Sequence, residues 1–371
     1  MSTTTQPARR VGILGGGQLG MMLARAGAPL GLEFQFWDPA TEIPAAGLGQ
    51  HFQAPWDDVE TRARFTAGLD VITFEFENVS RQSVRALDAL VPVRPGPEAL
   101  RLAGDRLFEK TLFNQLGIPV PPFRAVIFRD EFDGAIAELG LPLVAKTRRL
   151  GYDGKGQAVL RTADDVEAAW QALGGQPLLL EALVPFDREV SLIGARFATG
   201  ETVFYPLVEN HHAGGILRLT RAPAPRIDPA MQRTAEAMMG RLLDAMGYVG
   251  VLAMEFFLCG NQLMANEMAP RVHNTGHWSI EGAETSQFEN HLRAVAGMAP
   301  GSTAIKGFAA MINIIGDDTA ARALPHRPGV TVHLYGKTPR PGRKLGHITV
   351  VAEDEATRDA MVEGLQAALG G

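Results

Sequence analysis

The chain has 371 residues, of which 46% are hydrophobic and 20% are charged, so it can form sizeable cores and wholesale disorder is excluded. A single core stops growing at roughly 250–300 residues, so this length predicts two or three domains. The net charge of −6 and the absence of an apolar run near the ~20 residues of a membrane helix argue against nucleic-acid and membrane binding. The one cysteine, Cys259, cannot form an intrachain disulfide, which predicts a cytoplasmic protein.

Strands and helices alternate in the first hundred residues. Strands are predicted at residues 11–14, 34–38 and 71–74, and a helix is predicted at 21–26. This alternation indicates a parallel sheet with crossover helices. A segment rich in proline and glycine at residues 93–97 predicts the end of this first domain.

The rest of the chain predicts a small α+β unit and then a larger one. A linker helix is expected at 105–116, followed by strands at 143–146, 157–160 and 178–181 and a helix at 163–173. The longer antiparallel strands are expected at 189–196, 203–209, 252–258 and 263–268, interrupted by a helix at 229–246. The tail predicts strands at 331–335 and 348–352 and a last helix.

A glycine-rich loop joins the first predicted strand to the first helix. Gly15-x-Gly17-x-x-Gly20 has the spacing and context of the dinucleotide-binding fingerprint, and Asp38 lies near the position of a ribose-binding acid. Three interpretations stay open: an NAD(P)-dependent oxidoreductase, a site for another phosphate ligand at the helix N-terminus, and a tight turn that binds nothing.

Two glutamates are expected to face each other across a hairpin. A turn centred on Asn261 pairs Glu255 with Glu267. Opposed carboxylates repel each other, and a magnesium ion with its preference for oxygen ligands would remove the repulsion. The alternatives are a glutamate that faces solvent and a register shifted by one residue. Regular pleating puts Asn266 on the other face, so a role for it in this site requires a bulge.

Two further segments carry candidate chemistry. Lys146 ends an apolar strand before the basic, glycine-rich loop 151–157, which is either a polyphosphate-binding loop or an ordinary turn. His273 and His277 have the spacing of a helical metal site, but Gly276 argues against a helix, so zinc is not expected.

Two basic features complete the set. Arg271 directly follows the acidic hairpin and is a candidate for an anionic ligand. The turn at 340–344 is strongly basic in an acidic protein, and it either binds a phosphate or carries solvated charges.

Taken together, these motifs resemble the ATP-grasp superfamily and, within it, the N5-carboxyaminoimidazole ribonucleotide synthetases of purine biosynthesis. The motifs are GGGQLG at 15–20, FEFENV at 74–79, GYDGKGQ at 151–157, EVSLIGAR at 189–196, FYPLVEN at 204–210, GYVGVLAMEFF at 247–257, NEMAPRVHNTGHW at 266–278 and RPGRKLGH at 340–347. The resemblance spans nearly the whole chain, and the string at 266–278 is highly specific. Met21 departs from the family, which usually has arginine there, so no substrate contact is assigned to it.

The resemblance implies an α/β ATP-grasp fold of three domains. Residues 1–100 would form a preATP-grasp domain with a parallel sheet, and residues 101–185 a linker helix and a small α+β lid domain. Residues 186–371 would form a large α+β domain with an antiparallel sheet and a C-terminal segment. A homodimer is also implied.

The resemblance further implies a role for individual residues. The implied ATP contacts are Arg106, Lys146, Gly151, Tyr152, Asp153, Gly154, Lys155, Gly156, Gln157, Glu181, Ala182, Leu183, Val184, Glu189, His212, Asn266 and Glu267. Glu255 and Glu267 would bind magnesium. The implied substrate contacts are Gly17, Gln18, Leu19, Glu77, Asn78, Arg271, His273, Arg343 and Lys344. The catalytic candidates are Lys146, Asp153, Lys155, Arg271 and His273, and of these His273 and Asp153 are the candidates for a base.

The implied reaction is an ATP-dependent carboxylation. Bicarbonate attacks the γ-phosphorus of ATP to give carboxyphosphate and ADP, and the exocyclic amine of aminoimidazole ribonucleotide captures the CO2 that carboxyphosphate releases. Two alternatives account for less of the sequence. An oxidoreductase leaves the paired glutamates unexplained, and a non-catalytic nucleotide sensor should lack them.

Overall fold

Three β-sheets form the framework of residues 9–151 and 155–370, which are the residues described by this computed structural model. The sheets follow one another along the chain, and the first is parallel while the other two are antiparallel. The three-part α/β architecture expected from the sequence is therefore confirmed. Within the described residues, no helix combines the length and the apolar character needed to cross a membrane.

The first sheet has four parallel strands in the order β3-β2-β1-β4. The elements of this unit are β1 (Arg10–Leu14), α1 (Gln18–Gly27), β2 (Glu33–Trp37), β3 (Gln50–Phe52), α2 (Val59–Thr66), β4 (Val71–Phe74), α3 (Arg81–Asp88) and α4 (Pro97–Ala103). Four consecutive residues of β1, starting at Val11, are buried, as expected for a parallel sheet with helices on its faces. Met21 is 3% exposed and belongs to the apolar core, so its side chain is not available to a substrate.

The second sheet has four antiparallel strands in the order β5-β8-β6-β7. It follows helix α5 (Arg106–Gln115), and its elements are β5 (Phe123–Val126), α6 (Arg129–Leu139), β6 (Leu143–Thr147), β7 (Gln157–Leu160), α7 (Asp165–Leu173) and β8 (Leu178–Ala182). Phe132 of α6 and Trp170 of α7 pack together with ring centroids 5.2 Å apart and close the core of this small unit.

The third sheet has nine antiparallel strands. Eight of them follow the order β14-β13-β9-β11-β12-β15-β17-β16, and β10 pairs with β9. The elements are β9 (Arg188–Arg196), β10 (Thr202–Phe204), β11 (Val208–Ala213), β12 (Ile216–Ala222), α8 (Pro229–Ala245), β13 (Gly250–Cys259), β14 (Gln262–Ala269), α9 (Ser279–Gly282), α10 (Gln287–Val295), β15 (Phe308–Ile315), α11 (Thr319–Arg322), β16 (Val330–Leu334), β17 (Lys344–Ala352) and α12 (Glu355–Ala368). Strand β14 is thus an edge strand, and helix α5 lies against it, with Phe113 in the same buried cluster as Leu263.

The prediction of one continuous strand at 203–209 is wrong. The chain forms β10 and β11 with an interruption at residues 205–207. Pro206 has no N–H to donate to a neighbouring strand, and the N–H of Leu207 donates to the side chain of Gln232 at 2.8 Å. Strands β12 and β15, which the sequence analysis did not identify, complete the middle of the sheet.

Candidate active site

Two cavities meet among the three units. The N-terminal cavity, of about 430 Å³, is lined by residues after β1 and β4, by α5 and by the segment after β14. The lid cavity, of about 320 Å³, lies between the second and third sheets. Five residues line both cavities: Arg106, Glu267, His273, Asn274 and Lys344. A group bound in one cavity therefore comes close to a group bound in the other.

The two glutamates face each other as predicted, but the register next to the turn is not the predicted one. Cys259 pairs with Gln262 and Phe256 with Ala265, which is one residue away from the pairing centred on Asn261. Glu255 of β13 lies opposite Glu267 of β14, and the register then shifts so that Asn266 has no partner on β13. This bulge explains how Asn266 lines the lid cavity together with both glutamates. Asn266 thus has the bulge that its role in this site requires.

The electrostatics of this hairpin suit a hard cation. Burial and the facing Glu267 raise the pKa of Glu255 to about 7. Burial would raise the pKa of Glu267 as well. The Nη1 of Arg106 lies 3.0 Å from Glu267 Oε2, however, and the effect of Arg106 outweighs burial, so the pKa of Glu267 is lowered. The Oδ1 atom of Asn266 is buried without a hydrogen-bond partner. Two carboxylates and an amide oxygen fit a magnesium ion that takes its other ligands from phosphates and water.

The described residues contain no group of three or more His, Cys, Asp or Glu side chains able to hold a metal. The short 3₁₀ turn Asn274–Gly276, which begins after His273, also agrees with the expectation that His273 and His277 do not share a helix.

A buried ion-pair chain positions Lys146. Its Nζ lies 2.8 Å from Glu181 Oε2, and the Nζ of Lys110 lies 3.5 Å from Glu181 Oε1. Burial alone would raise the pKa of Glu181, but the two lysines outweigh it and lower the pKa to about 2. Lys146 lines the lid cavity, whereas the Glu181 carboxylate is engaged with the two lysines beneath it. This arrangement presents a fixed positive charge to the cavity.

The lid cavity also has an apolar wall. Its apolar lining residues are Val144, Val159, Leu183, Phe186, Leu217 and Phe257. The rings of Phe186 and Phe257 stack with centroids 4.7 Å apart and an interplanar angle of 15°. Of the segment 181–184, only Leu183 belongs to the lining, while Ala182 and Val184 are half-buried outside it. A flat apolar wall next to fixed charges suits a nucleobase with attached phosphates.

Glu189 and His212 form a polar pair in the lining of the lid cavity, where Glu189 is the strand neighbour of Phe257. The Nδ1 of His212 lies 2.7 Å from Glu189 Oε2, and both residues line the cavity. Burial would lower the pKa of His212, but the hydrogen bond with Glu189 and the charges of Glu255, Glu189 and Glu267 together outweigh it and raise the pKa.

The loop 151–157 borders both cavities. Gly151 lines the N-terminal cavity, and Lys155 and Gln157 line the lid cavity. Gly156 has φ of +70°, a conformation that favours glycine. The predicted site residues Tyr152, Asp153 and Gly154 lie outside the described residues.

The glycine loop is occupied by the chain's own carboxylates. Both oxygens of Glu75 accept hydrogen bonds, from the N–H of Gly17 and from the N–H of Gly20, the latter at 2.6 Å. Asp38 Oδ2 accepts from the N–H of Gly16 at 2.8 Å. These amides are the groups that a dinucleotide phosphate would need, so the oxidoreductase alternative is not supported.

The neighbours of the glycine loop still face the N-terminal cavity. Gln18 and Leu19 line it, whereas Gly17 does not. The Oε1 of Gln18 accepts a hydrogen bond from Lys337, whose pKa burial and Arg343 lower to about 8.

The remaining substrate candidates divide between the cavity and the surface. Glu77 and Asn78 line the N-terminal cavity, and Glu77 Oε1 lies 2.9 Å from Arg271 Nε. Arg343 lines neither cavity, and its Nη1 donates to the backbone oxygen of Thr338 at 3.1 Å.

His273 is held at the junction of the cavities. Its Nε2 lies 3.5 Å from Glu255 Oε1, and its backbone N–H and C=O both bond to the side chain of Gln287. Burial and the nearby Arg271 lower the pKa of His273 well below its usual value, so the imidazole is neutral at pH 7.

Sequence reasoning missed several residues of the site. They are Glu109, Lys110, Asn274, Gln287 and Lys337. Glu109 and Lys110 follow Arg106 at the i+3 and i+4 positions of a predicted helix, which was a usable signal. Both amide atoms of Asn274 are buried without partners, and no sequence pattern indicates that.

Models of three protein families match successive parts of the chain. The ribonucleotide synthetase preATP-grasp domain matches residues 8–104, the ATP-grasp domain matches 111–288, and the phosphoribosylaminoimidazole carboxylase C-terminal domain matches 309–361. Fold and site together therefore define an enzyme of the ATP-grasp class.

Individual relatives show which family of this class the chain belongs to. The N5-carboxyaminoimidazole ribonucleotide synthase of Pseudomonas aeruginosa is 50% identical over 96% of this chain and 99% of its own. The crystal structure of the synthetase from Thermus thermophilus matches with a TM-score of 0.92 and 49% identity, covering 97% of this chain and 99% of that one. A structure from Aspergillus clavatus, in complex with ADP and 5-aminoimidazole ribonucleotide, matches with a TM-score of 0.91 and 30% identity over 98% and 99% of the two chains. The chain belongs to the N5-carboxyaminoimidazole ribonucleotide synthase family.

Proposed function

We propose that this chain carboxylates the exocyclic amine of 5-aminoimidazole ribonucleotide, using ATP and bicarbonate, in purine biosynthesis. The observation that carries the proposal is the pair of cavities that share Arg106, Glu267, His273, Asn274 and Lys344. A reaction between a nucleotide and a second substrate needs such a junction. The Aspergillus clavatus relative, which binds ADP and the ribonucleotide together, supports the same arrangement.

ATP is assigned to the lid cavity. The apolar wall around Leu183 would take the adenine, and Glu189 with His212 would meet the ribose hydroxyls. Lys146, Arg106 and the loop 151–157 would meet the phosphates, since they supply the fixed positive charge of this cavity.

Glu255, Glu267 and Asn266 would hold magnesium, which would supply positive charge beside the transferring phosphoryl group. Two ionised carboxylates facing each other need a counter-charge, and Arg106 provides that charge on the side of Glu267 alone. The arrangement thus leaves the side of Glu255 to the cation.

The ribonucleotide is assigned to the N-terminal cavity. Gln18, Leu19, Glu77 and Asn78 would contact it from the first unit, and Arg271 and Lys344 from the third. The Glu77–Arg271 pair holds the arginine side chain in place beside the cavity. Arg343 lies outside the lining of both cavities, so only the family resemblance supports it as a substrate contact.

The proposed mechanism begins with a bicarbonate oxygen that bonds to the γ-phosphorus as the bond to the ADP oxygen breaks. Lys146 and Arg106 would stabilise the charge on the transferring group by position and electrostatics. Carboxyphosphate would then split into CO2 and phosphate, and the amine nitrogen would bond to the CO2 carbon. His273, which lines both cavities, and Asp153 are the candidates to accept the proton that the amine loses. Closure by Lys155 and its loop would keep water from carboxyphosphate.

Three broader features stay proposals. We infer a division into domains at residues 1–100, 101–185 and 186–371, supported by one sheet in each part. A homodimer and a cytoplasmic location are proposed from the family resemblance and from the single cysteine.

The proposed function is tested by measuring ADP release with bicarbonate, aminoimidazole ribonucleotide and magnesium present, and with each omitted in turn. We expect full turnover only with all three and detection of the carboxylated ribonucleotide as the second product. An equal rate of ADP release with and without the ribonucleotide, and no carboxylated product, would contradict the assignment of the N-terminal cavity.

A further inference from the structure

The bulge of β14 lies on the open edge of the large sheet. Strand β14 pairs with β13 on one side only, so the backbone groups of its other side need partners from elsewhere. The bulge also removes Asn266 from the β13 ladder. A strand in this situation is held weakly unless other groups bond to its free edge.

Helix α5 provides those partners from one face. Glu109 Oε1 accepts a hydrogen bond from the N–H of Met268 at 2.6 Å, directly after the bulge. The Nζ of Lys110 donates to the backbone oxygen of Ala265 at 3.2 Å, directly before it. The bulge residues Asn266 and Glu267 thus lie between two bonds from neighbouring helical residues.

A third residue of the same face contacts the bulge itself. Arg106 precedes Glu109 by one helical turn, and its Nη1 lies 3.0 Å from Glu267 Oε2. The segment after α5 adds one more bond, from the N–H of Ala265 to the backbone oxygen of Pro119 at 2.7 Å. The helix and the loop after it therefore hold β14 on both sides of Asn266.

The two positioning side chains are buried. Glu109 is 2% exposed and Lys110 is fully buried, and removing one partner of a buried polar pair leaves the other unsatisfied. Lys110 also lies 3.5 Å from Glu181, which holds Lys146. One helix face is thereby connected both to the acidic hairpin and to the lysine of the lid cavity.

We propose that Glu109 and Lys110 are positioning residues, which fix the bulge of β14 and so place Asn266 and Glu267 for the metal–nucleotide complex. The inference rests on the proposed metal role of Glu255 and Glu267. Outer groups that orient metal ligands typically change metal affinity by about 10- to 100-fold when removed. Glu109 acts here on the strand that carries the ligand.

The test compares Glu109→Leu with Glu109→Gln. Leucine removes the acceptor for the Met268 N–H, whereas glutamine keeps an oxygen at the same place. Affinity for Mn²⁺, used as a probe in the presence of ADP, is measured by electron paramagnetic resonance. We expect Glu109→Leu to weaken Mn²⁺ binding by about 10-fold or more and Glu109→Gln to change it by less than about 3-fold. ADP affinity without metal should change little in either variant.

A matched control separates positioning from general stability. Asp354 caps α12, far from the site, by accepting from Thr357 N–H at 2.8 Å, and Asp354→Ala removes that cap. It should lower the thermal midpoint without changing Mn²⁺ affinity. If Glu109→Leu does not fold, Glu109→Asp, which withdraws the carboxylate by one methylene, should weaken Mn²⁺ binding by about 3-fold or more.

The outcomes are distinguishable. Normal Mn²⁺ affinity in folded Glu109→Leu, or equal losses in the leucine and glutamine variants, would overturn the positioning role and leave the proposed function intact. Absence of Mn²⁺ binding by the unsubstituted chain with ADP would overturn the metal pair and the positioning role together.

Discussion

The two facing glutamates differ in pKa because a positively charged side chain contacts only one of them. Glu255 and Glu267 oppose each other on adjacent strands, yet Arg106 contacts only Glu267. On Glu255, burial and the facing Glu267 outweigh the opposite effects of His212 and Lys344, so its pKa rises to about 7, while the pKa of Glu267 falls. In the free protein Glu267 is thus ionised and paired with Arg106, whereas the charge of Glu255 is the one that a bound cation would stabilise.

Replacing Glu267 with glutamine tests that assignment. The change keeps the size of the side chain but removes the charge, so turnover should fall by about 100-fold or more while the fold is kept. Steady-state rates at several magnesium concentrations measure this loss. The exposed Glu138, replaced in the same way, is the control. Near-normal activity of Glu267→Gln at limiting magnesium would rule out the pair as the metal site.

The loop between β6 and β7 is proposed to couple ATP cleavage to carboxylation. Lys155 and Gln157 line the lid cavity while Gly151 lines the N-terminal one, so the loop would border both partial reactions. Three glycines in the segment 151–157 make it costly to order without a ligand. Polyphosphate would supply the charge that Lys155 meets on closing.

We expect Lys155→Ala to lower the amount of carboxylated product formed per ADP released. An incompletely closed loop admits water, which hydrolyses carboxyphosphate after ATP is already cleaved. The ratio of the two products is measured at saturating substrates, with the exposed Arg161→Ala as the control from the same unit. A reduced rate with an unchanged ratio would mean that the loop serves phosphoryl transfer only.

Sequence reasoning placed most elements of the site but not their mutual contacts. The hairpin was predictable, because a short turn joins two apolar segments. The turn alone would place Glu255 opposite Asn266, and only the one-residue bulge brings Glu255 opposite Glu267. The bulge at Asn266 was not predictable, since it depends on bonds from Glu109 and Lys110, more than 150 residues earlier in the chain.

Two other predictions from the sequence were wrong or left open, and each involves a contact with a distant part of the chain. The strand predicted at 203–209 is interrupted at Pro206, a signal present in the sequence, but the bond that satisfies the N–H of Leu207 comes from the distant Gln232. The glycine loop carried the spacing of a dinucleotide site, but the carboxylate of Glu75 that fills it comes from another strand. Local patterns identify elements, whereas the partners that decide their role come from the folded chain.

At the scale of the whole molecule, a buried histidine lies between the first and third units. The Nε2 of His291 in α10 lies 2.8 Å from the hydroxyl of Thr73 in β4, and its Nδ1 accepts from the N–H of Val251 in β13. His291 is fully buried, and this burial lowers its pKa from 6.5 to about 3. The neutral form of this residue is thus part of the interface between the units.

Stability should therefore decrease in acid. The unfolded chain binds a proton at His291 below pH 6.5 and the folded chain does not, so the contribution is present above pH 6.5 and is lost as the pH falls toward about 3. The free energy of unfolding should fall by up to about 1.4 kcal/mol per pH unit from this residue. Urea unfolding between pH 5 and 7 measures it. His291→Asn should show a flatter dependence than the chain carrying the same change at the exposed His326, and equal slopes would contradict the prediction.

The filled glycine loop has a consequence for selectivity against common metabolites. A free dinucleotide would have to displace Glu75 and Asp38, which the chain itself delivers to the loop amides. A tethered competitor of this kind is present at an effective concentration far above that of a dissolved cofactor. The first unit can thus keep the strand–loop–helix frame of a cofactor-binding domain in a cell rich in such cofactors without being inhibited by them.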